Sequence, residues 1–392
     1  MNLLDRTFLL KYLEKYSEVP FSICSNDGKL YTLGMGEPKF TIKLNNDIRK
    51  TNLLKSTSLA LGEAYMNGDL EILGDLYDTL NYFMGQMSKF TVNTKALKSI
   101  IRPSKNIKSS KNQISYHYDI GNDFYSLWLD DTLSYSCAYF KSESDSLYDA
   151  QVNKVHHILK KLNLEEGMSL LDIGCGWGYL LIEAAKKYKV HGLGITLSKE
   201  QADKFNERIK EEHLENYLEV LVMDYRELKS SSLLFDRIVS VGMLEHVGRD
   251  NYNEFIQCVN SVLKANGVFL LHYISGKKEG DGDPWIKKYI FPGGVIPSLR
   301  EIINLCSEYD MSIVDVESLR RHYNKTLLCW NKNFQANKEK IAKKFDDKFI
   351  RMWELYLCSC ATSFNKGFID LHQILMTKGA NNNLPMTRDY MI

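Results

Sequence analysis

LLDIGCGWGYLLIEAAKKY, Leu170–Tyr188, runs from an apolar segment through three closely spaced glycines into residues at helical spacing. Strand, tight glycine turn and helix in that order open a ligand-binding α/β unit. Outward from it, strand and helix patterns alternate: MSLLDIG, a helix, VHGLGITLS, a helix, LEVLVMDY, FDRIVSVG, a helix, then GVFLLHYI. The alternation predicts an α/β, Rossmann-like fold, a mostly parallel sheet with helices on both faces. Ligands of such sheets sit beyond the carboxyl ends of the strands.

The glycine loop departs from a dinucleotide site. That fingerprint needs G-x-G-x-x-G and an acid at the tip of the second strand. Here Gly174, Gly176 and Gly178 bring the last glycine one residue early, behind bulky Trp177, and the second strand ends in Ile195-Thr196-Leu197-Ser198 without a carboxylate. NAD is therefore disfavoured. Asp172, at the end of the first strand, would repel a pyrophosphate and attract an ammonium or sulfonium. That is the polarity of S-adenosylmethionine, which carries no phosphate. Gly174 and Gly176 allow close backbone approach to such a ligand, and Asp224-Tyr225 after the third strand suits a nucleoside. Taken alone, Asp172 reads equally well as a cap or a structural hydrogen-bond acceptor.

The chain has 392 residues, 44% hydrophobic and 25% charged, which is room for more than one core. Lys+Arg 50 against Asp+Glu 49 leaves a net charge of +1, so no bulk field draws it to nucleic acid. Charge is instead local: Gln86 to Tyr118 holds Lys89, Lys95, Lys98, Arg102, Lys105, Lys108 and Lys111 with no acid. The stretch reads as a solvated linker, or more sharply as an electrostatic foot on anionic lipid. The eight cysteines show neither a zinc spacing nor a disulfide framework and read as reduced cytosolic thiols; no metal is expected. No run of about 18 uncharged apolar residues is present, so the chain is expected to lie on a bilayer rather than cross it.

Three parts follow. Residues 1–95 read as a small α+β accessory domain, with a hairpin turning at Asp27-Gly28 and a helical stretch through SLALGEAYMNGDLEILGDLYDTLNYF. Residues 96–115 form the basic linker, and 116–392 the catalytic domain. Within it, SGKKEGDGDPWIKKYIFPGGVIPSLREI reads as a lid at about 276–300. From about Leu327 to Met376 the spacing is largely helical, with Trp330, Phe334, Ile341, Phe345, Phe349, Trp353 and Tyr356 forming an apolar stripe that core packing explains.

YHYDIGNDFYSLWLDDTLSYSCAYF, VGMLEHVG and RRHYNKTLLCW, together with LLDIGCGWG and GITLSKEQ, resemble in this order the cyclopropane fatty acyl phospholipid synthases, relatives of the mycolic acid cyclopropane synthases. The resemblance covers nearly the whole chain and implies a class I methyltransferase sheet. It places Tyr135, Ser136, Gly174, Gly176, Trp177, Gly178, Thr196, Leu197, Gln201, Tyr225 and Arg226 around S-adenosylmethionine, in company with Asp172. Tyr225 stands where many relatives carry Trp, which keeps an aromatic face for adenine. The resemblance further implies a bicarbonate ion held by Cys137, Glu245, His272, Tyr323 and the backbone of Ile274, and matches Cys360 to a late active-site cysteine.

Singly, these residues have plainer readings: Glu245 with His246 as a helix start, His272 as a satisfied histidine in a buried strand, Cys137 and Cys360 as core thiols. Their joint appearance in segments adjoining strand ends favours a polar pocket. The implied activity is transfer of a methylene group from S-adenosylmethionine to a cis double bond of a phospholipid acyl chain, closing a cyclopropane ring. The alternatives are a methyltransferase of the same fold acting on another lipid alkene or small acceptor without ring closure, and a lipid-binding protein that has lost catalysis. The expected partner is unsaturated phospholipid in the bilayer, reached from the cytoplasm at the inner membrane surface through the linker, the accessory domain and the lid residues Trp285, Ile286, Tyr289, Ile290 and Phe291. The resemblance also implies a homodimer.

Overall fold

The computed structural model describes residues 13–14, 16–48, 50–86 and 121–392. The basic linker, with Lys105 and Lys108, lies outside the described residues. The larger sheet has seven strands: β5 (Ser169–Ile173), β6 (His191–Thr196), β7 (Leu218–Val222), β8 (Phe235–Val241), β9 (Leu263–Gly276), β10 (Met311–Ser318) and β11 (Ile369–Lys378), in the order β10-β11-β9-β8-β5-β6-β7. The run from β7 to β9 is parallel, while β11 is antiparallel to both its neighbours. The chain leaves β5 towards β6 on one side and later returns to β8 on the other. A crevice therefore opens at the carboxyl ends of β5 and β8, where the crossover helices part.

Neighbouring residues on these strands serve opposite faces, as the pleat requires. Leu170, Val239, Leu270 and Leu375 pack with Leu181 and Phe205 on one side. Leu171, Ile238, Leu271 and Ile374 pack with Phe255 and Ile302 on the other. Burial on both faces is why these strands read as continuous apolar runs. The covering helices begin at side-chain caps: Ser146 accepts from Asp149 N, Ser198 from Gln201 N, and Ser298 forms a capping box with Glu301.

Two expectations are corrected here. The C-terminal region is not helical through Met376: after the helices Arg320–Ala336 and Asp347–Asn365, the segment Ile369–Lys378 is β11, inserted beside β9. A strand covered on both faces lacks polar alternation, and its apolar cluster mimics a helix face. In the accessory unit the helical stretch is broken into Thr57–Met66 and Leu76–Gly85 by β4 (Leu70–Leu73). Gly68, at φ +76°, turns the chain where a continuous helix would have required αR. The expected hairpin is present as β1 (Phe21–Cys24) and β2 (Leu30–Leu33), joined with β3 (Thr41–Leu44) and β4 in the order β2-β1-β3-β4.

The aromatic stripe forms core. Trp330, Phe334, Ile341, Trp353 and Tyr356 are buried, and the Trp353 indole meets Phe124 edge-on at 4.9 Å between centroids. The accessory unit closes over this helical layer. Arg351 caps the carbonyls of Tyr65 and Leu70 and lies over the Tyr65 ring, while Asn324 donates to the Tyr77 hydroxyl at 3.0 Å.

The segment expected as a lid turns out to be part of the same contact. Its helix Pro284–Tyr289 starts at Asp283 and lays Trp285 against Gly62, where an added Cβ would fall 2.3 Å from the indole. Lys288 and Tyr289 both donate to Glu63, at 2.6 and 2.8 Å. Trp285 and Ile290 are 3% and 1% exposed, so these two do not face a bilayer, contrary to their expected lipid contact. They hold the accessory unit to the catalytic one.

Replacing Trp285 with Ala empties a site enclosed by both units, and such truncations cost about 3–5 kcal/mol. Trp285→Ala is expected to lower the midpoint of urea unfolding by that equivalent; an unchanged midpoint would show that the seam contributes little.

Candidate active site

A cleft lies at the crevice between β5 and β8. Its walls include Tyr135 and Ser136 from the segment before the first crossover helix, Asp172 and the loop Gly174, Gly176, Trp177 and Gly178 from β5, Thr196, Leu197 and Gln201 beyond β6, and Tyr225 and Arg226 beyond β7. The structure thus brings together every residue that the sequence grouped around the cofactor. Gly176 has φ +55° and open space where a Cβ would stand, whereas a Cβ on Gly178 would fall 2.0 Å from Phe205. The first glycine leaves the backbone bare towards the cleft; the other lets the loop seat on the helix Lys199–Glu211.

Local bonds set the side chains. Thr196 Oγ1 donates to Gln201 Oε1 at 2.8 Å, orienting that amide. Trp177 Nε1 donates to Asn122 Oδ1 at 2.8 Å. Arg226 grips the Asp224 carboxylate with two nitrogens, and the Tyr225 ring packs edge-on against Phe255 at 5.3 Å. The Tyr225 face is thereby steadied at the end of the cleft.

Cys137, Glu245, His272, Ile274, Tyr323 and Cys360 are not among the walls of this cleft. Cys137, His272 and Tyr323 are buried beside it, and Glu245, Ile274 and Cys360 are half-buried. Cys137 follows Ser136, and its thiol points to the carbonyl of Leu319, which also accepts from Tyr323 N at 3.1 Å. His272 pairs with Val241 across β8 and β9. Glu245, in a short 3-10 turn after β8, accepts from Ile274 N at 2.6 Å and through its own carbonyl from Val295 N at 3.1 Å. Tyr323 lies within electrostatic reach of Cys137, Glu245 and Cys360.

Water is scarce around these groups, and their protonation follows. Burial raises the Glu245 carboxyl to about 7, against the pull of the Ile274 amide. Burial lowers His272 to about 3 and raises Tyr323 and Cys137 well above their ordinary range, and Cys360 to about 12. Gln373 Nε2 donates to His272 Nδ1 at 3.2 Å, so the ring proton sits on Nε2. That Nε2 and Glu245 Oε2 are both buried without a hydrogen-bond partner. Glu245 Oε2 and His272 Nε2 are therefore buried polar atoms next to the cleft whose hydrogen-bonding capacity is unused.

The family model for mycolic acid cyclopropane synthetase matches residues 105–374, and a domain of unknown function matches residues 8–95. The chain belongs to the mycolic acid cyclopropane synthetase family. It is 38% identical over 93% of its length to a probable fatty acid methyltransferase of Pseudomonas putida, covering 94% of that protein. It is also 38% identical to the cyclopropane-fatty-acyl-phospholipid synthase of Escherichia coli K12, over 90% of this chain and 92% of that one. Among solved structures, mycolic acid cyclopropane synthase CmaA1 complexed with SAH and CTAB superposes with a TM-score of 0.64 at 35% identity, over 71% of this chain and 99% of that one.

Several cleft residues escaped the sequence reading. Lys154, Met243, His246 and Asn251 all line it. Lys154 had a visible signal: it shares the inward face of its helix with Ala150, Val155 and Ile158, where a lysine is out of place. Met243, His246 and Asn251 lie in irregular turns whose direction no periodicity reveals.

Glu245 has a consequence for stability. Its folded pKa near 7 exceeds the 4.5 of an ordinary glutamate, so between those values the folded protein binds the extra proton. The stabilisation is complete below about pH 4.5 and is lost as pH rises through 7. Relative to Glu245→Gln, wild-type unfolding free energy is expected to fall by roughly 1–3 kcal/mol between pH 5 and 8.5, read by chemical denaturation. A constant difference would mean that the carboxyl is ionised throughout.

Proposed function

We propose that the chain transfers a methylene group from S-adenosylmethionine to the cis double bond of an unsaturated acyl chain in membrane phospholipid, forming a cyclopropane ring. The observation that carries this reading is a cleft lined by Asp172, the bare backbone of Gly176 and the Tyr225 face, with the buried and unpartnered Glu245 Oε2 and His272 Nε2 on segments adjoining it. Family membership and the high coverage of the Escherichia coli phospholipid enzyme support the same substrate class.

The cofactor supplies an electrophilic methyl on a sulfonium. Asp172 and the glycine loop hold it by charge and close approach, and Tyr225 carries the adenine. The alkene π electrons attack the methyl carbon, the carbon–sulfur bond breaks, and S-adenosylhomocysteine leaves with the electron pair. Because an alkene is a weak nucleophile, the walls must align it and exclude water; orientation of this kind is worth about 7–11 kcal/mol. Aromatic faces at Tyr323, Phe364, Trp330 and Tyr356, packed around the dry group, stabilise the resulting carbocation without reacting. Loss of a proton from the transferred carbon then closes the ring.

Glu245 Oε2, His272 Nε2, the Tyr323 hydroxyl and Cys137 would hold a bicarbonate ion, with the Ile274 backbone fixing Glu245. Bound there, bicarbonate supplies the base for that proton. Burial favours the neutral forms of Glu245 and His272, which would receive the anion; Tyr323 and Cys360, kept protonated by burial, resist alkylation by the cation. Since the acyl chain lies in a bilayer, the reading includes reversible contact with the inner membrane surface from the cytoplasm, and a homodimer. Among the described residues, no helix is long and apolar enough to cross a membrane.

Incubation with unsaturated phospholipid vesicles and methyl-labelled S-adenosylmethionine tests the reading. The acyl chains are expected to gain CH2 and lose their unsaturation; a gain of CH2 with unsaturation kept would instead make the chain a methyltransferase without ring closure. Glu245→Gln is expected to bind S-adenosylhomocysteine as wild type does while turning over ~100-fold or more slowly, the lower range for loss of base catalysis. Removing bicarbonate from the buffer should slow wild-type turnover, with recovery on its return; indifference would remove the ion from the mechanism.

A further inference from the structure

Lys154 has no part in that mechanism, yet it lines the cofactor cleft at 4% exposure. It sits on the inward face of the helix Leu147–Lys161, one turn after Gln151, whose amide donates to the carbonyls of Ser134 and Ser136 at 3.2 and 3.0 Å. Lys154 Nζ donates to Ser136 Oγ at 3.0 Å. One helix face therefore fixes the Tyr135-Ser136 segment by backbone and side chain together.

An ammonium carries three donors, and the Ser136 hydroxyl accepts from one. Among the described residues no carboxylate lies within 4.0 Å of Lys154 to form an ion pair. Asp130 acts most strongly on the Lys154 charge; Asp172, 3% exposed on the same cleft, acts on it as well, and its Oδ1 is buried without a partner. Both groups feel the cost of burial, Lys154 being lowered to about 8 and Asp172 raised to about 7. Left as they are, a buried lysine with a single hydrogen bond and a buried carboxyl with an unpartnered oxygen stand near each other.

A lysine is also an unfavourable wall for a ligand whose reactive centre is a cation, unless the ligand brings an anion to it. S-adenosylmethionine does so at one place, the carboxylate of its amino-acid moiety, and it carries an ammonium on the adjacent carbon. We propose that Lys154, with Ser136, binds the carboxylate of the cofactor's amino-acid moiety while Asp172 takes the neighbouring ammonium, so that the two protein charges select a zwitterion. The proposal rests on the cleft being the S-adenosylmethionine site. It assigns to Lys154 a role in choosing between the whole cofactor and its fragments that retain the adenosine and sulfur.

Calorimetric titration of wild type and Lys154→Met with S-adenosylhomocysteine, its decarboxylated analogue and 5′-methylthioadenosine tests it. Lys154→Met is expected to weaken S-adenosylhomocysteine by about tenfold or more, the scale of a charge-assisted contact, and the two carboxylate-free ligands by less than about twofold. Lys154→Arg, which keeps the charge, is expected to restore part of the lost affinity. Equal loss for all three ligands, or no loss for S-adenosylhomocysteine, would overturn the proposal by making Lys154 a structural residue. Wild type alone gives a second measurement that holds even where Lys154→Met fails to fold: the decarboxylated analogue should bind about tenfold more weakly than S-adenosylhomocysteine, and equal affinity refutes the carboxylate contact. If wild type binds none of the three, the cofactor reading itself fails.

Discussion

Exclusion of water at the rim of the large sheet is the constraint on which the site depends. It raises the Glu245 carboxyl to about 7 and leaves His272 uncharged. In water the same groups would be an anion and a partly charged base. The Ile274 amide on Glu245 Oε1 works against this, since it favours the ionised carboxyl, but one hydrogen bond is outweighed by desolvation. The local backbone fixes where the carboxyl is, and burial fixes what it is.

That dryness is built by parts remote in sequence. The helices Arg320–Ala336 and Asp347–Asn365 bring Tyr323, Tyr356 and Cys360 over the carboxyl ends of the strands, and their outer surface is covered by the accessory unit. Tyr65, Met66 and Leu76 of that unit share one apolar cluster with Trp330 and Trp353. The segment after β9 completes the enclosure twice over: Trp285 wedges against Gly62, and Val295 bonds the carbonyl of Glu245. A rigid-body shift of the accessory unit would therefore be transmitted to the wall beside Glu245 through contiguous packing.

The parallel half of the sheet was legible because strand and helix periods alternate cleanly from Met168 to Ile274, and the cofactor loop because glycines at strand ends have few other uses. The grouping of Glu245, His272 and Tyr323 was legible only through resemblance, since each alone reads as an ordinary structural residue. β11 and β4 were not. Both carry apolar residues at spacings that a helix also satisfies, and what decides them is pairing with β9 and β3, a non-local fact. The Trp285 segment shows the same limit from the other side: an apolar loop rich in glycine looks like a surface for lipid until a partner surface with a bare Gly62 is seen to fit it.

Charge is arranged along the same logic at both sites. The cleft carries opposite charges at Lys154 and Asp172 that burial suppresses and a zwitterionic ligand would satisfy, whereas the adjoining group carries neutral donors that an anion would satisfy. In the proposed reaction a cation formed between the two would meet aromatic faces and groups kept protonated rather than a free nucleophile. In that reaction an ionised Cys360 or Tyr323 would be open to alkylation, and burial holds both protonated. The accessory unit packs, through Tyr65, Met66 and Leu76, in the same apolar cluster as Tyr323, so the enclosure of that side chain is a property of both units together.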